Sequence, residues 1–358
     1  MQKTVRFFCA VIMACMCAVL GLLCFETYHT SSSYWVTEDR SLVIDDMVTV
    51  SPVHKESMET ALPLASETGT VSLKLFGLIP IREATVTVTQ RTLVVPCGTP
   101  FGIKLYTDGV IVVGFSDVDT VTGQENPAKS AGLKTGDIII SVNGKSVTTT
   151  AALSDCIETS GGKTVLLRVR RNGTEFTTQL YPACSVSETR YKAGLWVRDS
   201  AAGIGTLTFY NPQDSSFAGL GHAMCDVDTG KLMPLSSGEI VPARIYGVKK
   251  GVSGTPGGLL GGFENGVLGT LYANTQQGVY GTVSHAPSSN TAIPLAMKQD
   301  VKEGEALILT TIDGIKPRYY TARIKKVSRS NSPDAHDLVI EITDERLLNA
   351  TGGIVQGM

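Results

Sequence analysis

Hydrophobic residues are distributed along this chain in three distinct ways. Residues 7–25 carry no charge, with Lys3 and Arg6 before them and Glu26 after. As a helix this run spans roughly 28 Å, close to the thickness of a bilayer core, and predicts a membrane-spanning segment. Leu23-Cys24-Phe25-Glu26 fits a small-x-small cleavage site poorly, which favours an uncleaved signal-anchor, with its N-terminus in the cytoplasm, over the alternative of a cleaved signal peptide. Period is then lost: residues 27–68 are rich in Ser, Thr and acidic side chains and read as a linker. Alternation follows in V-S-L-K-L-F-G-L-I-P-I-R and in residues 84–88, predicting two strands around a Gly/Pro-marked bend.

Between 96 and 182 the pattern mixes strands with two short helices. One helix follows Asn126-Pro127-Ala128 and stops at Gly132, and the second covers 150–159. Gly136-Asp137 opens a strand over 138–142, Asn143-Gly144 makes a two-residue turn, and Asn172-Gly173 joins strands 164–171 and 174–180. From Arg190 onward, short strands alternate with glycine turns, at 267–272, 278–283, 306–311, 319–326 and 338–343. Turns fall at Asp313-Gly314 and at Asn331–Pro333. This spacing predicts an antiparallel sandwich or barrel, and the chain as a whole is mainly β with a few helices.

Composition narrows the function classes. With 42% hydrophobic and 18% charged residues the 358-residue chain is globular, with core enough for two domains. A net charge of −2 and no Lys/Arg run exclude a polyanion-binding face. Of the eight cysteines, Cys9, Cys15, Cys17 and Cys24 lie in the first apolar run and Cys97, Cys156, Cys184 and Cys225 stand singly. That is neither zinc spacing nor a disulfide framework, and it predicts buried free thiols. No H-E-x-x-H is present, so no metal and no cofactor are expected.

Three stretches carry candidate chemistry. His222 sits in G-L-G-H-A-M-C-D-V-D-T-G, at the end of a predicted strand. Asp344 closes the last long strand, ahead of E-R-L-L-N-A-T-G-G-I-V-Q-G-M. Ser253 lies in G-V-S-G-T-P-G, which mimics a nucleophile turn but reads as structural. Asp226 and Asp228 are nearer to His222 in sequence than Asp344 is, and His285 and His336 read as surface residues.

The final segment closely resembles the end of the SpoIVB-type sporulation peptidases, in which T-D-x-R-L-L…T-G-G-I-V-Q-G-M runs directly into S-G-S-P. L-F-G-x-I-P-I and the flanks of His222 are similar to the same family, and residues 96–185 resemble a PDZ domain of the bacterial protease type. The resemblance implies a membrane helix in 1–26, a linker and β segment in 27–95, a PDZ domain in 96–185, and a chymotrypsin-like double β-barrel peptidase domain in 186–358. In that picture His222 is the general base and Asp344 orients it. The N–H of Gly357 contributes to an oxyanion hole. The nucleophile serine is the residue expected after Met358, so the peptidase domain is incomplete as read. Phe101, Gly102 and Ile103 are expected to form the PDZ loop that holds a peptide terminus. Family members act outside the cytoplasm, between the two membranes around the forespore. There they cleave themselves and a regulator of an intramembrane protease that matures sigma-K. The implied partners are protein substrates, peptides and the membrane. The rival reading, which follows from the missing serine, is a non-catalytic membrane-tethered PDZ adaptor.

Overall fold

A computed structural model describes residues 2–38, 42–44, 47–52, 68–328 and 338–358. The turn at Asn331–Pro333, His336 and residues 53–67 of the expected linker lie outside the described residues. Two compact units emerge: Met1–Leu93, Ile293–Ile308 and Tyr320–Asp344 make the first, and Val94–Ala292, Leu309–Tyr319 and Glu345–Met358 the second.

In the first unit, helix α1 covers Gln2–His29. Among the described residues no helix is long and apolar enough to cross a membrane. The linker expectation needs correcting, because β1 (Ser33–Thr37) and β2 (Val48–Pro52) fall within it. They join β3 (Thr68–Leu75) and β4 (Ile79–Thr89) in a four-stranded sheet of order β1-β4-β3-β2. Apolar side chains at alternate positions, Leu73 and Leu75 on β3 and Ala84 and Val86 on β4, turn to one face and are buried. Phe76 and Gly77, both at positive φ, make the tight turn between β3 and β4. Strands β15 (Gly304–Thr310), β16 (Arg318–Val327) and β17 (Leu338–Ile342) form a separate three-stranded sheet.

The second unit is organised by β5 (Leu93–Phe115) and β9 (Leu195–Tyr210), which run antiparallel along most of their lengths. Beyond them lie β10 (Ser216–Gly219), β11 (Ser237–Lys249), β12 (Gly258–Phe263), β13 (Gly269–Thr275) and β14 (Gly278–Val283). The pairings β5-β9-β10-β14-β13-β11 return to β5 and close a ring of strands. Inside it Phe101 and Phe217 meet edge to face with centroids 6.1 Å apart. Burying each of these rings contributes roughly 1.5–3 kcal/mol. Only this one ring closes among the described residues; the second barrel of a chymotrypsin-like fold is not among them.

Past a kink at Gly109 (φ +106), the second half of β5 leaves the ring for another core. A Cβ on Gly109 would lie 2.7 Å from the Ile139 carbonyl oxygen, a contact only glycine tolerates. There β5 pairs with β6 (Ile138–Val142), followed by β7 (Val165–Arg171) and β8 (Thr174–Leu180). Helices α2 (Pro127–Ser130) and α3 (Thr150–Glu158) flank this sheet, and each is capped by the side chain just before it. The Asn126 side chain accepts from Lys129 N, and Thr149 accepts from Ala152 N. Leu153 and Ile157 of α3 are buried against Val110, Val112, Val165 and Leu167.

The cysteine expectation holds at one position. Cys97 is fully buried, and burial pushes its thiol up to about 12, outweighing a backbone hydrogen bond from Tyr210. Cys156 is half-buried, and Cys17, Cys24, Cys184 and Cys225 are exposed; around Cys17, helix α1 is exposed at every described position from Val11 to Gly21.

Candidate active site

His222 is delivered by a strained turn. Strand β10 ends at Gly219, and Leu220 (φ +72) and Gly221 (φ +78) both take the left-handed conformation before the histidine. A leucine there costs roughly 1–2 kcal/mol, offset here by packing of its side chain against the ring core. His222 is exposed, with Nδ1 2.9 Å from the carbonyl oxygen of Ala223. A carbonyl can only accept, so in the neutral ring the proton sits on Nδ1 and Nε2 keeps the lone pair that a general base requires.

The loop after His222 is held at its base and its tip. Asn274, on β13, donates to the carbonyls of Met224 (2.9 Å) and Met233 (2.8 Å) and accepts from Met224 N (2.9 Å). At the tip, buried Asp226 accepts from the amides of Asp228 (3.2 Å) and Thr229 (2.8 Å). Arg198 of β9 donates to both Asp226 and Asp228 at 2.7 Å. Those two carboxylates therefore serve the loop's own architecture.

The chain's last residues pack in the same unit. After α4 (Glu345–Thr351), Gln356 N donates to Gly257 O (3.0 Å) and Leu259 N donates to Gln356 O (2.9 Å), seating the tail beside β12. Gly251 N donates to Thr351 O (2.9 Å), and a Cβ on Gly352 would lie 2.4 Å from Gly251 O, so the tail needs glycine there. The G-V-S-G-T-P-G stretch is thus a cradle, with Ser253 exposed at the tip of a hairpin closed between Val252 and Thr255. Thr206, a buried residue of β9, joins tail to histidine turn: its Oγ1 donates to Gly357 O at 2.7 Å and its carbonyl accepts from Leu220 N at 3.2 Å. The Gly357 N–H meets no acceptor among the described residues.

Residues 189–358 match the SpoIVB peptidase S55 family. Residues 121–171 match the PDZ domain. Together these matches support a serine peptidase of the SpoIVB type. A 58-residue stretch is 45% identical to serine protease HTRA1 of Xenopus tropicalis, covering 16% of this chain and 12% of that protein. A crystal structure of the PDZ domain of an SdrC-like protein from Listeria monocytogenes is 19% identical, covering 25% of this chain and 87% of that one at a TM-score of 0.21.

Asp344, the last residue of the first unit, is buried at 7% exposure. Its carboxylate accepts from Thr321 N at 3.4 Å, and its own N–H donates to Thr321 O at 3.1 Å. His222, Thr206 and Gly357 stand in the second unit, in the S55 region. His285 is exposed, as expected.

The PDZ loop expectation is corrected. Phe101, Gly102 and Ile103 lie mid-strand in β5, paired with β9 on one edge and β11 on the other, with Phe101 and Ile103 buried in the ring. Backbone amides committed to two ladders are not available to hold a peptide carboxylate. The open groove lies instead between α3 and the first residues of β9, a cleft of about 440 Å³ with Leu153, Ile157, Leu195 and Val197 among its lining. The strand edge there is unpaired among the described residues. Gly194 O accepts from Ser116 N, which turns the Leu195 amide to the far edge. Opposite Val197, Val112 gives its N–H to Asp137 O and its carbonyl to Gly136 N, so Val197 also directs its backbone groups outward. A free edge beside a helix is the geometry by which PDZ domains add a peptide strand. G-L-W-V was legible as a strand; that it forms this wall was not, since its helix partner lies some forty residues earlier.

Proposed function

We propose that this protein is a membrane-anchored serine endopeptidase of the SpoIVB type, with His222 as general base, Asp344 as the carboxylate that orients it, and the Gly357 N–H as an oxyanion donor. The observation that carries the reading is Thr206, which contacts both the glycine two residues before the expected nucleophile and the turn that presents His222. A serine following Met358 would be attached to a segment seated by that threonine, and His222 Nε2 would take its proton during attack and return it to the leaving amine. In the orienting role assigned to Asp344, a carboxylate stabilises the imidazolium better than a neutral acceptor such as the Ala223 carbonyl. In this reading the uncharged run at residues 7–25 holds the protein at the membrane without any spanning helix among the described residues, and the groove between α3 and β9 receives peptide segments of substrates. In the family's setting the substrates are the protein itself and the regulator of an intramembrane protease, cleaved between the forespore membranes ahead of sigma-K maturation.

The test is self-cleavage in a form of the chain in which a serine follows Met358. His222→Ala abolishes it while the PDZ region stays folded; cleavage retained in that variant overturns the assignment. Peptide binding in the groove with no cleavage, measured in that same form, would favour the adaptor reading.

A further inference from the structure

Two adjacent residues of β9 reach to opposite functional parts of the second unit. Arg198 clamps the tip of the loop that follows His222, through buried Asp226 and exposed Asp228, both at 2.7 Å. Asp199 accepts from the N–H of Thr150, the first residue of α3, at 2.7 Å. That amide is one of the donors a helix leaves unsatisfied at its start, and the helix dipole adds to the attraction for a carboxylate. Immediately before this pair, Leu195–Val197 present the open edge of the peptide groove. The groove's strand wall, the anchor of its helix wall and the clamp on the histidine loop thus occupy five consecutive residues, 195–199.

We infer that Arg198 and Asp199 couple the peptide groove to His222: a peptide strand added along Leu195–Val197 stiffens this stretch and, through Arg198, orders the histidine loop. Arg198 is a positioning residue, since it acts on the base through Asp226 and never touches the reacting atoms. The inference rests on the peptidase reading for its meaning, but the coupling itself is measurable without turnover.

The experiment is amide hydrogen exchange on the full chain, with and without a saturating ten-residue peptide that has a free C-terminal valine, able to lie as an added strand along Leu195–Val197. In the wild type the peptide slows exchange at Leu195 and Val197 and, three-fold or more, at Asp228, Thr229 and Gly230. Arg198→Met alone would strand a buried carboxylate, so the diagnostic variant is Arg198→Met with Asp226→Asn, whose amide oxygen keeps the turn bonds to Asp228 and Thr229. In that variant the groove residues are still protected by peptide and the loop residues are not. The inference is overturned if the loop responds equally in the variant, if the wild-type loop stays unchanged while the groove is protected, or if the groove gains no protection. Retained self-cleavage in His222→Ala would sink the peptidase reading while leaving this exchange result intact.

Discussion

Thr206→Val isolates the contact between tail and histidine turn. Thr206 is 6% exposed, and its hydroxyl makes one hydrogen bond, 2.7 Å long, to the Gly357 carbonyl. Valine keeps the volume and the β-branched shape, so the strand opposite Pro100 and the carbonyl bond from Leu220 N persist. What is lost is one neutral hydrogen bond, a net of roughly 0.5–1.5 kcal/mol, which raises the local opening constant of the tail roughly 2- to 13-fold. Gln356 and Met358 donate to Gly257 O and Val355 O, so their amides report that opening directly. The expected result is faster exchange at these two amides by that factor, with Leu207 and Val279 in the ring core unchanged. In the serine-bearing product, kcat for self-cleavage falls while the denaturation midpoint of the ring barely moves. Unchanged exchange at Gln356 and Met358 would show that the hydroxyl does not seat the tail; an equal rise throughout the ring would show that Thr206 serves only general packing.

Asp137→Ala removes a buried carboxylate that accepts from Arg171 Nε and Nη2, each at 2.7 Å, and from Lys134 N at 2.8 Å; the loss is about 3 kcal/mol, since Arg171 can turn to solvent, read as a lower urea midpoint for the PDZ region. Phe76→Asn relieves an exposed aromatic residue held at φ +52 and stabilises the four-stranded sheet by about 1 kcal/mol, measured by chemical denaturation. Burial raises the Asp199 carboxyl, but hydrogen bonds from the Thr150 amide and the Ser200 hydroxyl together outweigh it and hold it below the ordinary value of 3.8. Its folded pKa being depressed, its stabilising contribution is present above the ordinary value and lost as pH falls through the folded one; exchange protection of the first turn of α3 should therefore survive to below pH 3.8.

Much of this was legible in the sequence because it depends on short-range chemistry. Asn126-Pro127 ahead of α2, the stop at Gly132, and the Asn-Gly pairs at 143–144 and 172–173 fix a short helix and two turns whatever the rest of the chain does. The glycine steps before His222 and at Gly357 are local in the same way, each set by a left-handed backbone position. Partners far apart in sequence were decided only by folding. Thr206 meets Gly357 across 151 positions, and Arg198 meets Asp226 across 28. Phe101, Gly102 and Ile103 show the limit most plainly: an apolar stretch containing glycine suits a binding loop or a core strand equally well by pattern. Pairing on both edges by β9 and β11 buried it in the ring, and left the free edge of β9 to face α3. Local propensity sets where the chain turns; which strand edges stay open is set by the ladder closure that satisfies the most backbone groups, a property of the whole sheet.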